Sequence, residues 1–520
     1  MITSLLRAYL TSSSRFRRPG RAFRSIPAAL WAAALLASCS GGSSSPAASE
    51  TVRDDLVPDT ATMMQWISEV VAQGIRRPGY AADAWTEEWA RDRFVEMGLE
   101  DVTLDPVPVR RWESLACAFE VWADHAPDER LELPCFPLPF TEGADGLEAE
   151  ITFAADEDGS TRGRIAVVET TPVQLPQTFM QSFSTWAYDP RGEIPTHVQT
   201  IFFAPPVRAQ LEAQIEAGAA ALVGILRAPW ETDRLYVPYD AESRPIPAVW
   251  LSPANGDRML DFLRGRAAHG RLHVERTQGD ATSHNVTGVL RGASDEWVII
   301  GSHHDGPWAS AVEDASGVAL VLAQASYWSR VPESERPHNL LFLLNAGHMA
   351  GSAGLKQFTS TRQDFIENDV VLELHLEHVA REAAAREGRI VPTAEPEWRW
   401  WFTSRIPPLE DAVADAICRE DVGRSLLMPP DGFPPGGARP PTDGGRFHPT
   451  APIVNLLAAP MYLFDESDTI EMIHEESLVP LTRAALRIVA STRSQTAASL
   501  RAETYVAPRE TPIAPCERTT

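Results

Sequence analysis

The feature of the sequence that most constrains its fold is the apolar run over residues 340–347, which reads LLFLLNAG. A run of this length without polar alternation is typical of a central strand that is buried on both faces of a sheet. Strand patterns also occur at residues 283–292, 296–305 and 370–380, and helical patterns separate them, as at residues 317–329. This alternation predicts an α/β domain in which a mostly parallel sheet is flanked by helices.

The chain opens with a helical pattern before the first predicted strand. Apolar residues recur at helical spacing over residues 61–99, and the segment Pro78-Gly79-Tyr80 interrupts them. The spacing predicts two helices, and residues 101–107 follow them as a strand.

Length and charge exclude some classes of protein. A chain of 520 residues with 44% hydrophobic content can bury more than one core, which indicates two or three domains. The formal net charge is -25, and a chain this acidic lacks the cationic face that phosphate binding requires. We therefore expect no nucleic acid partner.

The N-terminus has the pattern of an export signal that ends in a lipobox. An arginine-rich segment precedes an apolar stretch at residues 28–37, and Leu36-Ala37-Ser38-Cys39 follows. The stretch is too short for an ordinary membrane span. We expect residues 1–38 to be a lipoprotein signal peptide, Cys39 to carry the lipid, and residues 39–55 to be a flexible linker. The alternative is a plain signal peptide with an incidental cysteine.

From this leader we expect a protein of the cell envelope, at the outer membrane or the periplasmic face, that contacts the membrane through its lipid. The remaining cysteines are Cys117, Cys135, Cys418 and Cys516, and an oxidising compartment permits three pairings. We favour a disulfide between Cys117 and Cys135 because they are close in sequence. The alternative is a set of free, buried thiols.

The segment at residues 109–280 differs in character from what surrounds it. It contains a strand at residues 163–169, a helix that runs through Gly218 into a strand, a strand at residues 246–252, and a closing helix. This order resembles a protease-associated domain. The resemblance implies an inserted, smaller α+β domain that divides a main domain into residues 56–108 and 281–500, with a tail at residues 501–520. The alternative is an autonomous binding module.

Residues capable of metal chemistry follow the predicted strands of the main domain. They lie in the motifs HHD, VEDASG and AGHMAGSAG and at the end of the strand HLEHVA. This succession resembles the co-catalytic zinc exopeptidases, which include bacterial leucyl aminopeptidases, glutamate carboxypeptidases and glutaminyl cyclases. In that family two zinc ions share a bridging carboxylate, and a glutamate base activates water for attack on an amide. The resemblance implies a zinc-aminopeptidase-like fold and a peptide or small amide as substrate.

The resemblance assigns roles to individual residues. His303 matches the first metal ligand, and Asp305 would orient its ring. Glu313 takes the position of the bridging aspartate, and Glu377 takes that of the aspartate at the end of the next strand, so the resemblance implies both as metal ligands. His348 stands where the family has its glutamate base, and would serve as a direct ligand or as the general base.

Two positions depart from the family in a way that removes ligands. Met349 and Phe464 stand where a glutamate and a histidine ligand are expected, and methionine is a poor ligand for hard or borderline divalent metals. The resemblance therefore implies one metal ion in place of two. Two imidazoles and two carboxylates suit zinc, and also iron or manganese.

The strand LELHLEH carries further polar residues. Glu373, His375 and Glu377 alternate onto one face, where a buried polar group needs partners. We expect His375 to be a supplementary ligand or a hydrogen-bond partner of the ligands, or else to bond only a neighbouring loop. His304 and His378 are expected to point to the opposite faces of their strands and to be structural.

Three functions remain open from the sequence. We favour a metal-dependent exopeptidase-like hydrolase at the cell envelope. The first alternative is a catalytically inactive peptidase homologue that acts as a binding lipoprotein of the envelope. The second is a non-haem metal enzyme built on the same fold.

Overall fold

The computed structural model describes residues 52–154, 160–431, 433, 437–506 and 509–516. The predicted signal peptide, Cys39 and most of the predicted linker lie outside these residues. Among the described residues, no helix has the length and apolar content needed to cross a membrane. The strands are β1 Glu100–Ala123, β2 Leu131–Pro134, β3 Phe136–Pro137, β4 Ala144–Phe153, β5 Ile165–Thr170, β6 Val173–Pro176, β7 Trp186–Tyr188, β8 Val198–Ile201, β9 Ala221–Leu226, β10 Ala248–Leu251, β11 Ala268–Leu290, β12 Trp297–His303, β13 Asn339–Asn345, β14 Val370–Leu376, β15 Arg381–Arg386, β16 Arg389–Pro396, β17 Arg399–Thr403, β18 Ser425–Met428 and β19 Ile453–Ala458.

The central part of the sheet is parallel and buried. Strand β12 pairs in parallel with β13 on one side and with β14 on the other, and β14 pairs in parallel with β19. Every residue of β14 is buried, including Glu373 and His375. Strands β11 and β17 add to this core in antiparallel orientation. The predicted α/β class with a flanked sheet is thereby confirmed.

Helices cover both faces of the central strands. On one face α6 packs against α1 and α10, and the Gln324 side chain donates to the Thr482 carbonyl oxygen across the helix contact. On the other face α7 and α8 bury Phe358 and Ile366 against β12 and β13. The helices are α1 Thr60–Val71, α2 Ala81–Glu96, α3 Gln177–Gln181, α4 Ala204–Ala217, α5 Pro253–Leu263, α6 Ser316–Ser329, α7 Ala353–Thr361, α8 Gln363–Asp369, α9 Pro407–Arg419, α10 Leu478–Ser491 and α11 Ala497–Ala502.

The inserted segment is joined to the main sheet through two long strands. Strands β1 and β11 pair along most of their lengths, from Glu100↔Val289 to Ala123↔Ala268. They continue through residues 108 and 280, where the sequence suggested domain boundaries. Strand β4 then pairs with β11 and leads into β5, β9, β10 and β3, so one 15-stranded sheet runs through both parts.

Two disulfides join distant parts of the chain. The predicted bond between Cys117 and Cys135 is present, and it links β1 to the segment before β3. The second bond joins Cys418 in α9 to Cys516 near the C-terminus. The described cysteines are therefore all paired.

Candidate metal centre

The candidate site lies at the carboxyl ends of the central parallel strands. His303 is the last residue of β12, while His348 follows β13 after a tight turn and His378 follows β14. Glu313 lies in the irregular turn Ala311–Ala315 that leads into α6. Because neighbouring parallel strands end at the same edge, these four side chains are brought together where open α/β sheets place their sites.

The Glu313 carboxylate is the centre of the cluster. Its Oε1 lies 3.4 Å from Nε2 of His303 and 3.6 Å from Nε2 of His348. Its Oε2 lies 2.6 Å from Nε2 of His378. Glu313 is 1% exposed, and neither of its oxygens accepts an aligned hydrogen bond. Both oxygens therefore have lone pairs available to a cation.

The backbone that carries Glu313 is fixed by a second carboxylate. Asp468 accepts the amide hydrogens of Val312 and Glu313, with both N···O distances at 2.9 Å. Burial raises the pKa of Asp468 to about 7, although these two amide donors oppose the shift. The turn is thus held independently of what the Glu313 side chain binds.

His303 has the ring orientation of a metal ligand. Its Nδ1 lies 2.9 Å from the Asp305 carbonyl oxygen, which can only accept, so Nδ1 carries the hydrogen and Nε2 presents a lone pair. Burial, followed by the neighbouring His348, holds the pKa of His303 well below its usual range. The ring is therefore neutral and able to bind a metal.

Asp305 orients His303 through its backbone and not through its side chain, contrary to the sequence-based expectation. The His303 Nδ1 lies 3.9 Å from the nearer Asp305 carboxylate oxygen. The carboxylate instead accepts the backbone amides of His348 and Met349, at 3.0 Å and 2.7 Å. Asp305 thus fixes the turn that follows β13, which the HHD motif alone does not reveal.

His378 belongs to the site, and the prediction that it is structural on the opposite face is wrong. Strand β14 ends at Leu376, and His378 adopts a left-handed backbone conformation with φ 62°, so the two-residue alternation of a strand no longer applies. Its Nδ1 lies 2.6 Å from the Ala458 carbonyl oxygen, which fixes the tautomer and leaves Nε2 facing Glu313. Burial opposes a charge on this ring, but Glu313 and Asp314 raise the pKa of His378 to about 10.

His348 lies above the cluster and is held by an aspartate that the sequence did not single out. The ring stacks on that of His303 with the centroids 4.1 Å apart. Nδ1 of His348 lies 3.3 Å from Oδ1 of Asp443, whose other oxygen accepts from the Asn345 side chain. Burial opposes charge on His348, but Asp443 and then Glu313 and Glu377 raise the pKa of His348 to about 10. No motif marked Asp443, because it lies in a proline- and glycine-rich loop.

Glu377 lies beside the cluster, within a polar set of its own. Its Oε1 lies 3.1 Å from Nε2 of His375 and accepts the Asp443 amide at 3.2 Å. The other nitrogen of His375 lies 3.0 Å from Glu373. His375 therefore hydrogen-bonds Glu373 and forms an ion pair with Glu377, rather than bonding a neighbouring loop.

The residues present fit one divalent ion. His303, Glu313 and His378 are buried, and each offers a ligand atom within 4.8 Å of the other two. Ligands of a tetrahedral zinc ion are separated by about 3.3 Å, close to the His303–Glu313 separation of 3.4 Å. Nε2 of His303, Nε2 of His378 and both carboxylate oxygens of Glu313 are buried without an aligned hydrogen-bond partner. Buried polar atoms normally have a partner, and a bound cation would supply one.

The positions that depart from the family contain apolar groups. Met349 is fully buried, and Phe464 is 7% exposed with its ring 5.0 Å from that of Tyr239. Both positions at which the sequence resemblance implied lost ligands are thus apolar and buried.

A second buried group of metal-capable residues, Asp83, Glu87 and His304, lies on the other side of β12. The oxygens of Glu87 are used by Ser283 and by His284, which donates through both its backbone amide and its ring. His304 lies 3.1 Å from Asp83 and also bonds the His284 carbonyl oxygen. This group joins α2 to the sheet through its own hydrogen bonds.

Comparison with known proteins confirms the resemblance and the fold. Residues 285–425 match the sequence model of Peptidase family M28. The fold is similar to that of a Peptidase M28 precursor from Shewanella amazonensis SB2B, with a TM-score of 0.62 and 19% identity over 85% of this chain and 94% of the other. It is also similar to BSAP, a zinc aminopeptidase from Bacillus subtilis, with a TM-score of 0.59 and 14% identity over 85% and 98% of the two chains.

A third similar structure is an aminopeptidase from Aneurinibacillus sp. strain AM-1, with a TM-score of 0.57 and 19% identity over 84% of this chain and 94% of the other. At these identities the likeness establishes the fold. No curated protein matches the sequence.

Proposed function

We propose, from the match of residues 285–425 to the Peptidase family M28 model, that the protein is a metal-dependent hydrolase of amide bonds in peptides or related small molecules. The observation that carries the proposal is the approach of Nε2 of His303 and Nε2 of His378 to opposite oxygens of the buried Glu313 carboxylate, at 3.4 Å and 2.6 Å. Two imidazoles and one carboxylate form a usual protein ligand set of catalytic zinc, and a cation bound there would displace the proton that Glu313 and Asp314 favour on His378.

In this proposal His303, Glu313 and His378 hold a single divalent ion, with zinc as the favoured metal. Bound there, the ion supplies Lewis-acid activation of the amide carbonyl and of water, and it offsets the carboxylate charge around His348. The buried Met349 and Phe464 occupy positions where the family resemblance implies ligands, which supports one ion over two.

His348 acts as the general base in place of the family's glutamate. Its Nε2 faces the same Glu313 oxygen as His303 does. With a cation bound beside it to oppose the carboxylates that raise its pKa, His348 would be neutral, and Nε2 would accept the proton of the attacking water. Asp443 holds Nδ1 and stabilises the imidazolium that forms, as a carboxylate does behind a catalytic histidine. As the C–N bond of the tetrahedral intermediate breaks, the same nitrogen would return the proton to the leaving amine.

We also propose that the protein acts in the cell envelope, anchored through a lipid on Cys39. The small-residue pair before Cys39 and the serine- and glycine-rich segment after it support this location. An anchored hydrolase would meet peptides or small amides that reach the envelope.

The test is zinc-dependent turnover of aminoacyl 4-nitroanilides and dipeptides by the mature protein. We expect chelation to abolish hydrolysis, zinc to restore it, and His348→Gln to lower kcat by about 100-fold. His338→Gln is the matched control, since His338 is buried and bonds the Thr492 carbonyl oxygen far from the site. A folded, metal-free protein without turnover of any aminoacyl amide would favour the inactive binding lipoprotein instead.

A further inference from the structure

A segment of the insertion crosses the candidate site. Residues 235–240, which we call the strap, lie against two loops. One loop contains His348 and Gly351, and the other contains Phe464. The Tyr236 amide donates to the Phe464 carbonyl oxygen at 3.0 Å, and the Gly351 amide donates to the Tyr239 carbonyl oxygen at 2.9 Å. The Trp250 indole donates to the Leu235 carbonyl oxygen at 3.1 Å, which anchors the strap to β10.

The far end of the strap is equally well held. Arg244 donates to both carboxylate oxygens of Asp240 at 2.8 Å. Gly351 has φ 73°, and a Cβ atom built on it would lie 2.6 Å from the Asp240 carbonyl oxygen. The strap and the loop after His348 are therefore in backbone contact that only glycine permits, and their relative position is fixed.

The strap presents one aromatic side chain to the site. The Tyr239 ring lies 5.3 Å from the His348 ring and 5.0 Å from the Phe464 ring. No group among the described residues hydrogen-bonds the Tyr239 hydroxyl. Burial raises the pKa of Tyr239, and the carboxylates of Glu313, Asp443 and Glu377 raise it further.

We propose that Tyr239 is a catalytic residue whose hydroxyl donates a hydrogen bond to the carbonyl oxygen of the scissile amide as negative charge develops on it. This inference rests on the proposed hydrolase function. The Tyr239 ring lies beside both the His348 ring and the Phe464 ring, so it is on the same side of the site as the proposed base. A rigid strap keeps the donor oriented before reaction, which is the condition under which such donors contribute most.

The experiment compares Tyr239→Phe with Tyr236→Phe in the zinc-loaded protein. Tyr236 is the matched control because it is the neighbouring tyrosine of the strap and its ring packs on Arg77, 4.4 Å from the guanidinium carbon, not on His348. The probe is the phosphonic acid analogue of leucine, a tetrahedral anion that mimics the developing charge. Its Kd is measured by calorimetry, beside kcat and KM for leucine 4-nitroanilide and the zinc content of each variant.

We expect Tyr239→Phe to raise the Kd for the phosphonate about 10-fold or more and to lower kcat about 100-fold, with KM and zinc content unchanged. Tyr236→Phe should stay within about twofold of the wild type in every measurement. Wild-type affinity and kcat in Tyr239→Phe, with zinc bound, would overturn the role of Tyr239 and leave the hydrolase intact. Wild-type protein that holds no zinc and binds no phosphonate would overturn both proposals.

Discussion

Nε2 of His378 lies 2.6 Å from Oε2 of Glu313, and both side chains are buried at the carboxyl end of the central strands. The His378 ring is fixed from behind by the Ala458 carbonyl oxygen. This relationship supplies a histidine on the opposite side of Glu313 from His303. In the proposed metal site, His378 takes the place of the histidine that the family resemblance implies at position 464.

The first prediction separates His378 from Glu377 as a metal ligand. We expect His378→Ala to weaken zinc binding by more than about 100-fold, because it removes one of three ligands. Glu377→Gln should retain zinc within about 10-fold, since its role is to bond His375 and the Asp443 amide. Zinc affinities measured by competition with a chromogenic chelator check this, and the opposite order would show that Glu377 is the ligand.

The second prediction concerns the aspartate behind His348. Asp443→Asn should lower kcat by about 100-fold, because an amide does not stabilise the imidazolium formed on proton transfer. Zinc content should not change, since Asp443 contacts His348 and not the three ligands. Glu410→Gln, which alters a buried carboxylate bonded to Tyr505, is the control and should leave kcat unaltered. Equal rates for Asp443→Asn and wild type would rule out a His348–Asp443 pair.

The third prediction uses a buried carboxyl group outside the site. Burial raises the pKa of Glu397 from 4.5 to about 7, although the Trp398 amide opposes the shift. Between these two values the unfolded chain is ionised while the folded protein holds the proton. Burial of Glu397 therefore lowers the free energy of unfolding progressively as pH rises from about 4.5 to 7. Below pH 4.5 the carboxyl group is protonated in both states, and this destabilisation is absent.

Glu397→Gln should accordingly be more stable than the wild type above pH 7, by on the order of 3 kcal/mol, and similar to it near pH 4.5. The Gln199 amide can still donate to the new side-chain oxygen. Urea unfolding of both proteins at pH 5, 6, 7 and 8 gives the comparison. A stability difference that does not grow with pH would contradict the assigned shift.

Much of the fold follows from local pattern. The two opening helices, the buried run of β13 and the helix after the VEDASG motif lie where periodicity predicts them, because each buries one consistent face. The lengths of β1 and β11 were not predictable in the same way. Their pairing joins residues far apart in the chain, so nothing within either segment specifies it.

The candidate site was predictable only where a motif marks it. His303, Glu313 and His348 follow strands in recognisable motifs, and the structure brings them together. His378 was misassigned because its left-handed backbone breaks the alternation of β14. Asp443 and Tyr239 reach the site from a loop and from the insertion, so only the tertiary fold reveals them.

The most direct test of a one-ion site is elemental analysis of the mature protein purified without added metal, together with His303→Ala and His378→Ala. A one-ion site predicts about one zinc per wild-type chain and almost none in either variant, with all three proteins giving the same circular dichroism spectrum. Wild-type protein that is folded and free of any divalent metal, even after incubation with zinc, would contradict it. So would two zinc ions per chain.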